Sequence, residues 1–128
     1  MGAPIASPAS RLPSVERPDD AACAREELAP LDDEALGDLA HRLAALADPI
    51  RLRIVAHIAR SGPLCSCQLE EPVGRSQPTI SHHTAVLARA GILVAQRRGR
   101  WTWWQLAPTA LADMASTLVR GAAITDEE

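Results

Sequence analysis

The sequence predicts a mainly α-helical domain that carries a small β-hairpin towards its C-terminal end. Residues 75–93 have the pattern of a helix, with a polar start and with Gly91 as the kind of residue that ends a helix in a left-handed turn. Two strand-like runs follow at residues 92–96 and 101–106, and the four residues between them include Gly99, where a hairpin favours glycine. A helix with polar side chains followed by a basic hairpin is the arrangement of a winged helix-turn-helix.

Three segments are predicted along the 128 residues, a length that suits one domain. Residues 1–30 are expected to form a largely disordered N-terminal arm, because their first part is rich in Ala, Pro and Ser and lacks periodicity. This arm carries Cys23, around which a short helix is an open alternative. The winged helix-turn-helix domain is expected to span residues 31–122, followed by an acidic tail at residues 123–128.

The first two helices of the domain are predicted from their caps and apolar stripes. Asp32 can cap the first helix, which should end at Asp48-Pro49 because the residue before a proline disfavours helical backbone. Its apolar positions are Leu36, Leu39, Leu43 and Leu46. Asp48 then caps a second helix with Pro49 in its first position. The buried side of that helix is predicted to carry Ile50, Ile54 and Ile58.

Two further helices complete the helical part of the prediction. A third, shorter helix should cover about residues 66–71, with residues 72–74 turning into the next helix. Pro108 is expected to open a final helix. The apolar stripe of that helix consists of Leu111, Met114, Leu118 and Val119. Periodicity alone allows the first and last stripes to pack either within the chain or against a second copy.

The helix that starts at Ser76 has the features of a DNA-recognition helix. The side-chain oxygen of Ser76 can cap it, and Pro78 suits a first turn, where a missing N–H costs nothing. Its first two turns carry polar side chains that meet base edges and phosphates if that end enters a major groove. The predicted DNA contacts are Arg75, Ser76, Gln77, Thr79, Ser81, His82 and His83. An ordinary amphipathic surface helix would show the same pattern.

The hairpin is interpreted as the wing. Arg97, Arg98 and Arg100 lie at its tip and are predicted to contact the phosphate backbone or the minor groove of DNA. Trp101 and Trp103 alternate onto one face of the second strand, and Trp104 points to the other. We expect one of these faces to pack as core and the other to cover the base of the wing.

Charge is distributed unevenly along the chain, whose net charge is −3. Residues 1–48 hold four Arg against ten acidic residues, residues 49–107 hold eight Arg against two, and residues 108–128 hold one against four. The positive middle segment contains the predicted recognition helix and wing. The acidic total therefore does not exclude nucleic acid, because the local charge is that of a DNA-binding surface.

Cys65 and Cys67 are the second site of chemical interest. Thiolates are soft ligands for thiophilic ions, and the aligned N–H groups at a helix start lower the pKa of a thiol there. Residues two apart on a regular helix point about 200° from one another, so both thiols should bind one ion only if the first turn of the third helix distorts. Two small buried residues would be the plain structural alternative.

Four stretches of this sequence resemble the arsenic-responsive ArsR/SmtB family of winged helix-turn-helix transcriptional repressors. They are LADPIRLRIVAHI, LCSCQL, SQPTISHHTAVLARAGIL and RRGRWTWWQL, and together they span roughly residues 43–106. The resemblance implies a homodimer formed through the first and last helices. It also implies double-stranded operator DNA as partner and release of that DNA when As(III) or Sb(III) binds cysteine thiolates.

The ligand set implied by the family is incomplete in this sequence. In the family, LCxCDL at the start of the third helix binds arsenite or antimonite, and a third thiolate commonly lies three residues after the second cysteine. That position is Glu70 here, so we expect Cys23 to join Cys65 and Cys67, as N-terminal cysteines do in some members, often from the opposite subunit. The family's other site, on the last helix, needs paired Asp, His and Glu ligands. That helix offers Asp113 and no His, which argues against a zinc or nickel sensor.

The resulting prediction is a cytoplasmic, homodimeric repressor and not an enzyme. No signal peptide or membrane-spanning run is apparent, and no catalytic cofactor, membrane partner or organic small-molecule substrate is expected. One alternative is a thiol-redox protein or redox-sensing regulator that uses a disulfide between Cys65 and Cys67. Another is a Cd or Pb sensor at the same thiolates.

Overall fold

The computed structural model describes residues 28–123, and the predictions for Cys23 and for the acidic end lie outside this range. Within it, the five predicted helices and the two predicted strands occur in the predicted order, together with one additional strand. The elements are α1 (Asp33–Leu46), α2 (Pro49–Ser61), β1 (Leu64–Cys65), α3 (Ser66–Val73), α4 (Gln77–Arg89), β2 (Leu93–Arg98), β3 (Trp101–Leu106) and α5 (Ala110–Arg120). This is the predicted winged helix-turn-helix, with α4 in the position of the recognition helix.

Carboxylates begin the first two helices, as predicted. Asp32 Oδ1 accepts a hydrogen bond from the backbone N–H of Ala35 at 3.1 Å. Asp48 Oδ1 accepts from the N–H groups of Ile50 and Arg51 at 2.8 and 3.1 Å. The bond from Arg51 is the main cause that lowers the pKa of the Asp48 carboxyl, because the bond favours the ionised form. The Asp32 cap confirms the predicted start of α1, and the Asp48 cap confirms the predicted start of α2 at Pro49.

The core lies where α2, α3 and α4 meet the base of the wing. Its fully buried apolar side chains are Ile54, Leu69, Ile80, Leu87 and Ile92. Thr84 is also fully buried, and its hydroxyl donates to the carbonyl of Ile80 at 3.0 Å. A satisfied hydroxyl avoids the cost of an unpaired polar group, so this threonine is tolerated in the core.

The sheet contains a strand that the sequence did not predict. Its order is β1-β3-β2, and all pairs are antiparallel. In β1, Leu64 pairs with Trp104 and Cys65 pairs with Trp103. Two residues are too few to show a strand periodicity, so β1 exists only because β3 lies beside it. The hairpin is also longer than expected on its first side, where β2 continues to Arg98.

Two helix boundaries differ from the prediction. The third helix continues through Pro72 to Val73, and Gly74 at φ 74° alone makes the left-handed turn that ends it. The last helix begins at Ala110, after Thr109 at φ 63°, and Pro108 precedes it. Proline lacks a backbone donor, which is unneeded at the very start of a helix but does not oblige a helix to start there.

The stripes on α1 and α5 are only partly buried within one chain. Leu39 and Met114 are buried, but other apolar side chains of these helices and their flanks remain open to solvent. These are Leu31, Leu43, Leu111, Leu118 and Val119. Because α1 and α5 pack against one another, these exposed side chains lie on neighbouring elements, and an exposed apolar patch commonly marks an interface.

Candidate DNA interface and thiol site

The first turns of α4 present most of the predicted DNA-contacting residues to solvent. Gln77, Ser81 and His82 are exposed and Thr79 is half-buried. Ser76 occupies the N-cap position, but its hydroxyl lies 3.2 Å from Thr79 Oγ1 and caps no backbone N–H. The prediction of a side-chain cap at Ser76 was therefore wrong. The hydroxyl pair still leaves polar atoms at the exposed end of the helix.

His83 departs from its expected role as a DNA contact. Its side chain is buried, and Nδ1 lies 3.2 Å from Arg51 Nη1 on α2. Burial is the largest cause that lowers the pKa of His83, because it disfavours the charged imidazolium. Adjacent residues of a helix point in directions about 100° apart, so an exposed His82 leaves His83 turned towards the core. His83 is therefore not among the DNA contacts proposed below.

The wing carries its three arginines on an exposed tip. Arg97, Arg98 and Arg100 are all exposed, and Gly99 between them has φ 63°, a conformation that suits a turn glycine. The guanidinium of Arg98 lies 4.6 Å from the centre of the Trp103 ring. A cation held over an indole in this way loses mobility without losing charge. The exposed basic tip fits contact with phosphates.

Arg53 is a candidate contact that the sequence reasoning missed. It is exposed on α2 and lines a groove of about 410 Å³ together with Arg75. The other residues of that groove are Pro49, Ile50, Pro72, Val73 and Gly74. The sequence pattern could have indicated this contact, because Arg53 is not at one of the buried isoleucine positions of α2. Two guanidinium groups at the N-terminal side of α4 extend the positive surface towards α2.

The two thiols at the start of α3 are adjacent. Cys65 is the N-cap residue with extended backbone (φ −73°, ψ 148°), and its Sγ accepts the N–H of Cys67 at 3.4 Å. Gln68 Oε1 accepts the N–H of Cys65 at 2.8 Å and completes the cap. The two Sγ atoms lie 2.7 Å apart. The prediction that these side chains point away from one another was wrong, because helical geometry does not apply to a cap residue.

The pKa of the Cys67 thiol also differs from expectation. The side-chain bond from Cys67 to Cys65 is the largest cause that raises the pKa of the Cys67 thiol, and burial adds to it. Bonds from backbone N–H groups act in the opposite direction but are weaker. The predicted lowering of the pKa at this helix start is therefore wrong for Cys67. Both cysteines are free thiols, with Cys65 buried and Cys67 exposed.

The donor set fits two of the ligands of a thiophilic ion. Two neighbouring sulfur atoms are the chemistry that such ions prefer. Between residues 28 and 123, no group of three His, Cys, Asp or Glu side chains is placed to hold a metal. Glu70, at the position of the family's third cysteine, is half-buried on α3. A third sulfur would have to come from outside the described residues, where Cys23 lies.

A single cavity brings the thiol site, the recognition helix and the wing together. It measures about 250 Å³ and is lined by Cys65, Ser66, Gln77, Ser81, Thr84, Arg100, Trp101, Thr102 and Trp104. Trp104 packs against the core, as predicted for one face of the strand, and its Nε1 donates to Ser66 Oγ at 2.9 Å. Cys65 therefore lies next to both candidate DNA-binding elements.

Comparison with known proteins identifies the family. Residues 48–94 match the family of bacterial regulatory proteins described as the arsR family. Over 86 residues the chain is 40% identical to the HTH-type transcriptional regulator NmtR of Mycobacterium tuberculosis, covering 67% of this chain and 71% of that protein. The chain belongs to the ArsR family. It is a transcriptional regulator of the ArsR/SmtB type.

Other relatives of this ArsR-family chain include arsenic regulators. It is 48% identical over 63 residues to the arsenic resistance transcriptional regulator ArsR1 of Pseudomonas putida, which covers 49% of each protein. The match therefore spans about half the length of that relative. A solution NMR structure from Mycobacterium bovis is similar with a TM-score of 0.59 and 25% identity, covering 77% of this chain and 89% of that one. It is described as the homodimeric winged helix-turn-helix DNA-binding domain of a possible ArsR-family regulator. Among residues 28–123, no helix is long and apolar enough to cross a membrane.

Proposed function

We propose that this ArsR-family regulator is a cytoplasmic homodimeric repressor that binds operator DNA and releases it when As(III) or Sb(III) binds its thiolates. The observation that carries the proposal is the pair of adjacent thiols on Cys65 and Cys67 beside the recognition helix and the wing. An effector bound there acts directly on the elements that hold DNA. The similarity to ArsR1 supports an arsenical as the effector.

The DNA surface is proposed to divide into two kinds of contact. Exposed polar side chains at the start of α4 read base edges in the major groove. Arginines of the wing and of the groove beside α4 contact phosphates. The proposed contacts are Arg53, Arg75, Ser76, Gln77, Thr79, Ser81, His82, Arg97, Arg98 and Arg100.

The effector site is proposed to contain three thiolates, from Cys23, Cys65 and Cys67. Cys65 Sγ also caps α3 by accepting the N–H of Cys67. An oxygen cap is worth about 1 kcal/mol, and sulfur is a weaker acceptor, so ligand binding can readily replace this cap. Movement of the Cys65 sulfur towards a bound ion would then lengthen or break the hydrogen bond that it accepts in the first turn of α3. The switch is thus expected to act through loss of the cap and not through unwinding to bring distant sulfurs together.

The dimer is proposed to form through α1 and α5. Five apolar side chains on and beside these helices are exposed in the single chain. A second copy would cover them, and the similar Mycobacterium bovis domain is described as homodimeric. The thin core also favours a partner, because burial of further apolar area adds stability that a small domain needs.

The function can be tested with purified protein and its own promoter DNA. Fluorescence anisotropy should show tight DNA binding that arsenite abolishes at stoichiometric dose. Absorbance of the thiolate-to-arsenic charge-transfer band should saturate at one ion per subunit and should disappear in Cys65→Ser and Cys67→Ser. Ser61→Ala, at an exposed position on α2, is the matched control for loss of a small polar group. An affinity for DNA that does not change when arsenite is added would refute arsenite as the effector.

Redox sensing is the second candidate, and the short distance between the sulfurs favours it. Peroxide would oxidise the two thiols to a disulfide and would itself be reduced to water, with the two thiol hydrogens transferred to oxygen. Release of DNA by peroxide but not by arsenite would identify this function. The same titration with Cd²⁺ and Pb²⁺ separates a sensor of those ions from an arsenic sensor.

A further inference from the structure

The structure links the thiol pair to the wing through one side-chain hydrogen bond. Ser66 lies between the two cysteines and is the first residue of α3. Its hydroxyl accepts the indole N–H of Trp104, on β3, at 2.9 Å. The two residues are 38 positions apart in the chain, and both are half-buried. An indole N–H that is partly shielded from water is stabilised by a partner, so movement of Ser66 is expected to shift Trp104.

The backbone reinforces this link. β1 ends at Cys65, which pairs with Trp103, and Leu64 pairs with Trp104. Trp103 in turn lies under the guanidinium of Arg98 on the neighbouring strand. The middle of β3 therefore pairs with the strand that carries Cys65, and the first residue of β3 adjoins the arginine-rich tip. A shift at Cys65 reaches the wing through a continuous set of paired strands.

An ion bound by both thiols would change the surroundings of the Cys65 sulfur. That sulfur is buried and accepts the N–H of Cys67 at 3.4 Å, so it belongs to the first turn of α3. A shift of this sulfur towards a bound ion therefore changes the cap next to Ser66. The Ser66 hydroxyl is bonded to another element, β3, through Trp104.

We propose that the hydrogen bond between Ser66 and Trp104 couples effector binding at the thiols to the position of the wing, so that its loss on binding weakens DNA contact by the wing arginines. This inference rests on the proposed function. In this proposal Trp104 and Ser66 are positioning residues. Neither contacts the effector or the DNA bases. Coupling between two ligands is a free energy, and it is reciprocal. Removal of the hydrogen bond between Ser66 and Trp104 must therefore reduce the effect of arsenite on the affinity for DNA. It must equally reduce the effect of DNA on the affinity for arsenite.

The test uses Trp104→Phe, which removes the donor and keeps an aromatic ring, and Ser66→Ala, which removes the acceptor. Both variants should bind arsenite, measured by the charge-transfer absorbance, within about threefold of the parent. The ratio of DNA affinities without and with arsenite should fall by about tenfold or more, within the usual range of coupling. Ser66→Thr keeps a hydroxyl and should restore the ratio. Ser61→Ala should leave it unchanged.

A direct spectroscopic readout separates coupling from simple structural support. The indole N–H of Trp104 gives one resonance in a ¹⁵N-correlated spectrum, assigned by its absence in Trp104→Phe. That resonance should move when arsenite saturates the parent protein. An unmoved resonance in the saturated parent, or a full DNA response in both Ser66→Ala and Trp104→Phe, would overturn the proposal. A parent protein that fails to bind arsenite would instead reject the effector itself, and the coupling with it.

Discussion

Nδ1 of His83 lies 3.2 Å from Nη1 of Arg51, so a buried imidazole on the recognition helix accepts a hydrogen bond from a guanidinium on α2. Arg51 Nε also donates to the carbonyl of Ala45, near the end of α1. Three helices thus meet at one arginine. A neutral His83 completes this junction, whereas a protonated ring has no lone pair at Nδ1 to accept the bond. This contact between α2 and the recognition helix therefore requires the neutral ring of His83.

The first prediction is a loss of stability at mildly acidic pH. The pKa of His83 in the folded chain is lowered, chiefly by burial, from the ordinary value of 6.5. The unfolded chain therefore binds this proton more tightly, and the free energy of unfolding decreases as the pH falls from about 6.5. Urea denaturation between pH 7.5 and 5.5 measures the slope. His83→Gln should flatten it, whereas His82→Gln, at the exposed neighbour, should not. Equal slopes in the parent and His83→Gln would contradict the assignment.

The second prediction concerns phosphate contacts. Arg53→Ala and Arg98→Ala should each weaken binding to specific and random DNA alike, and each should reduce the slope of log affinity against log salt by about one unit. Anisotropy titrations at several salt concentrations measure this slope. Arg60→Ala, at an exposed position near the end of α2, is the matched control. A parent-like slope in Arg53→Ala would exclude α2 from the interface.

The third prediction is that Gln77 reads a base. It is exposed on the first turn of α4. Gln77→Ala should change the preference among operator variants at one position by roughly 1 to 3 kcal/mol. A panel of operators with single substitutions, compared with random DNA, measures the preference. Equal losses on every sequence would assign Gln77 to the backbone instead.

The fourth prediction decides how the effector site is assembled. If Cys23 completes a three-thiolate site, Cys23→Ser should weaken arsenite binding by more than about an order of magnitude, because As(III) then lacks a preferred sulfur ligand. If Cys65 and Cys67 alone suffice, the site keeps room for one non-protein group and should favour methylated arsenite. Charge-transfer titration and X-ray absorption count the sulfurs. Two sulfurs in the wild type would reject the three-thiolate site.

A mixed dimer tests whether the site is shared between subunits. One chain carries Cys23→Ser and the other carries Cys65→Ser. Sites shared across the dimer leave one intact site of two, because the unaltered Cys23 of one chain meets the unaltered pair of the other. Sites confined to single chains leave none. Arsenite stoichiometry of the purified mixed dimer distinguishes the two arrangements.

Local signals in the sequence were sufficient for much of the fold. Asp32 and Asp48 cap their helices as expected, because a cap needs only a side chain within three residues of its partner. Ile54 and Ile58 are buried as their spacing indicates. Gly99 turns the hairpin for the same local reason. The Cys-Ser-Cys motif, the arginine-rich tip and the basic middle segment are likewise properties of the sequence by itself.

Tertiary structure decided what the local signals left open, because it depends on contacts between residues far apart in sequence. β1 has two residues and forms only against β3, and this pairing places Cys65 in extended backbone as a cap. Adjacency of the two sulfurs follows from that conformation and not from helical spacing. The contact of His83 with Arg51 joins residues 32 positions apart, and the bond from Trp104 to Ser66 spans 38 positions. Periodicity shows which side chains share a face, but only the packed fold determines what that face meets.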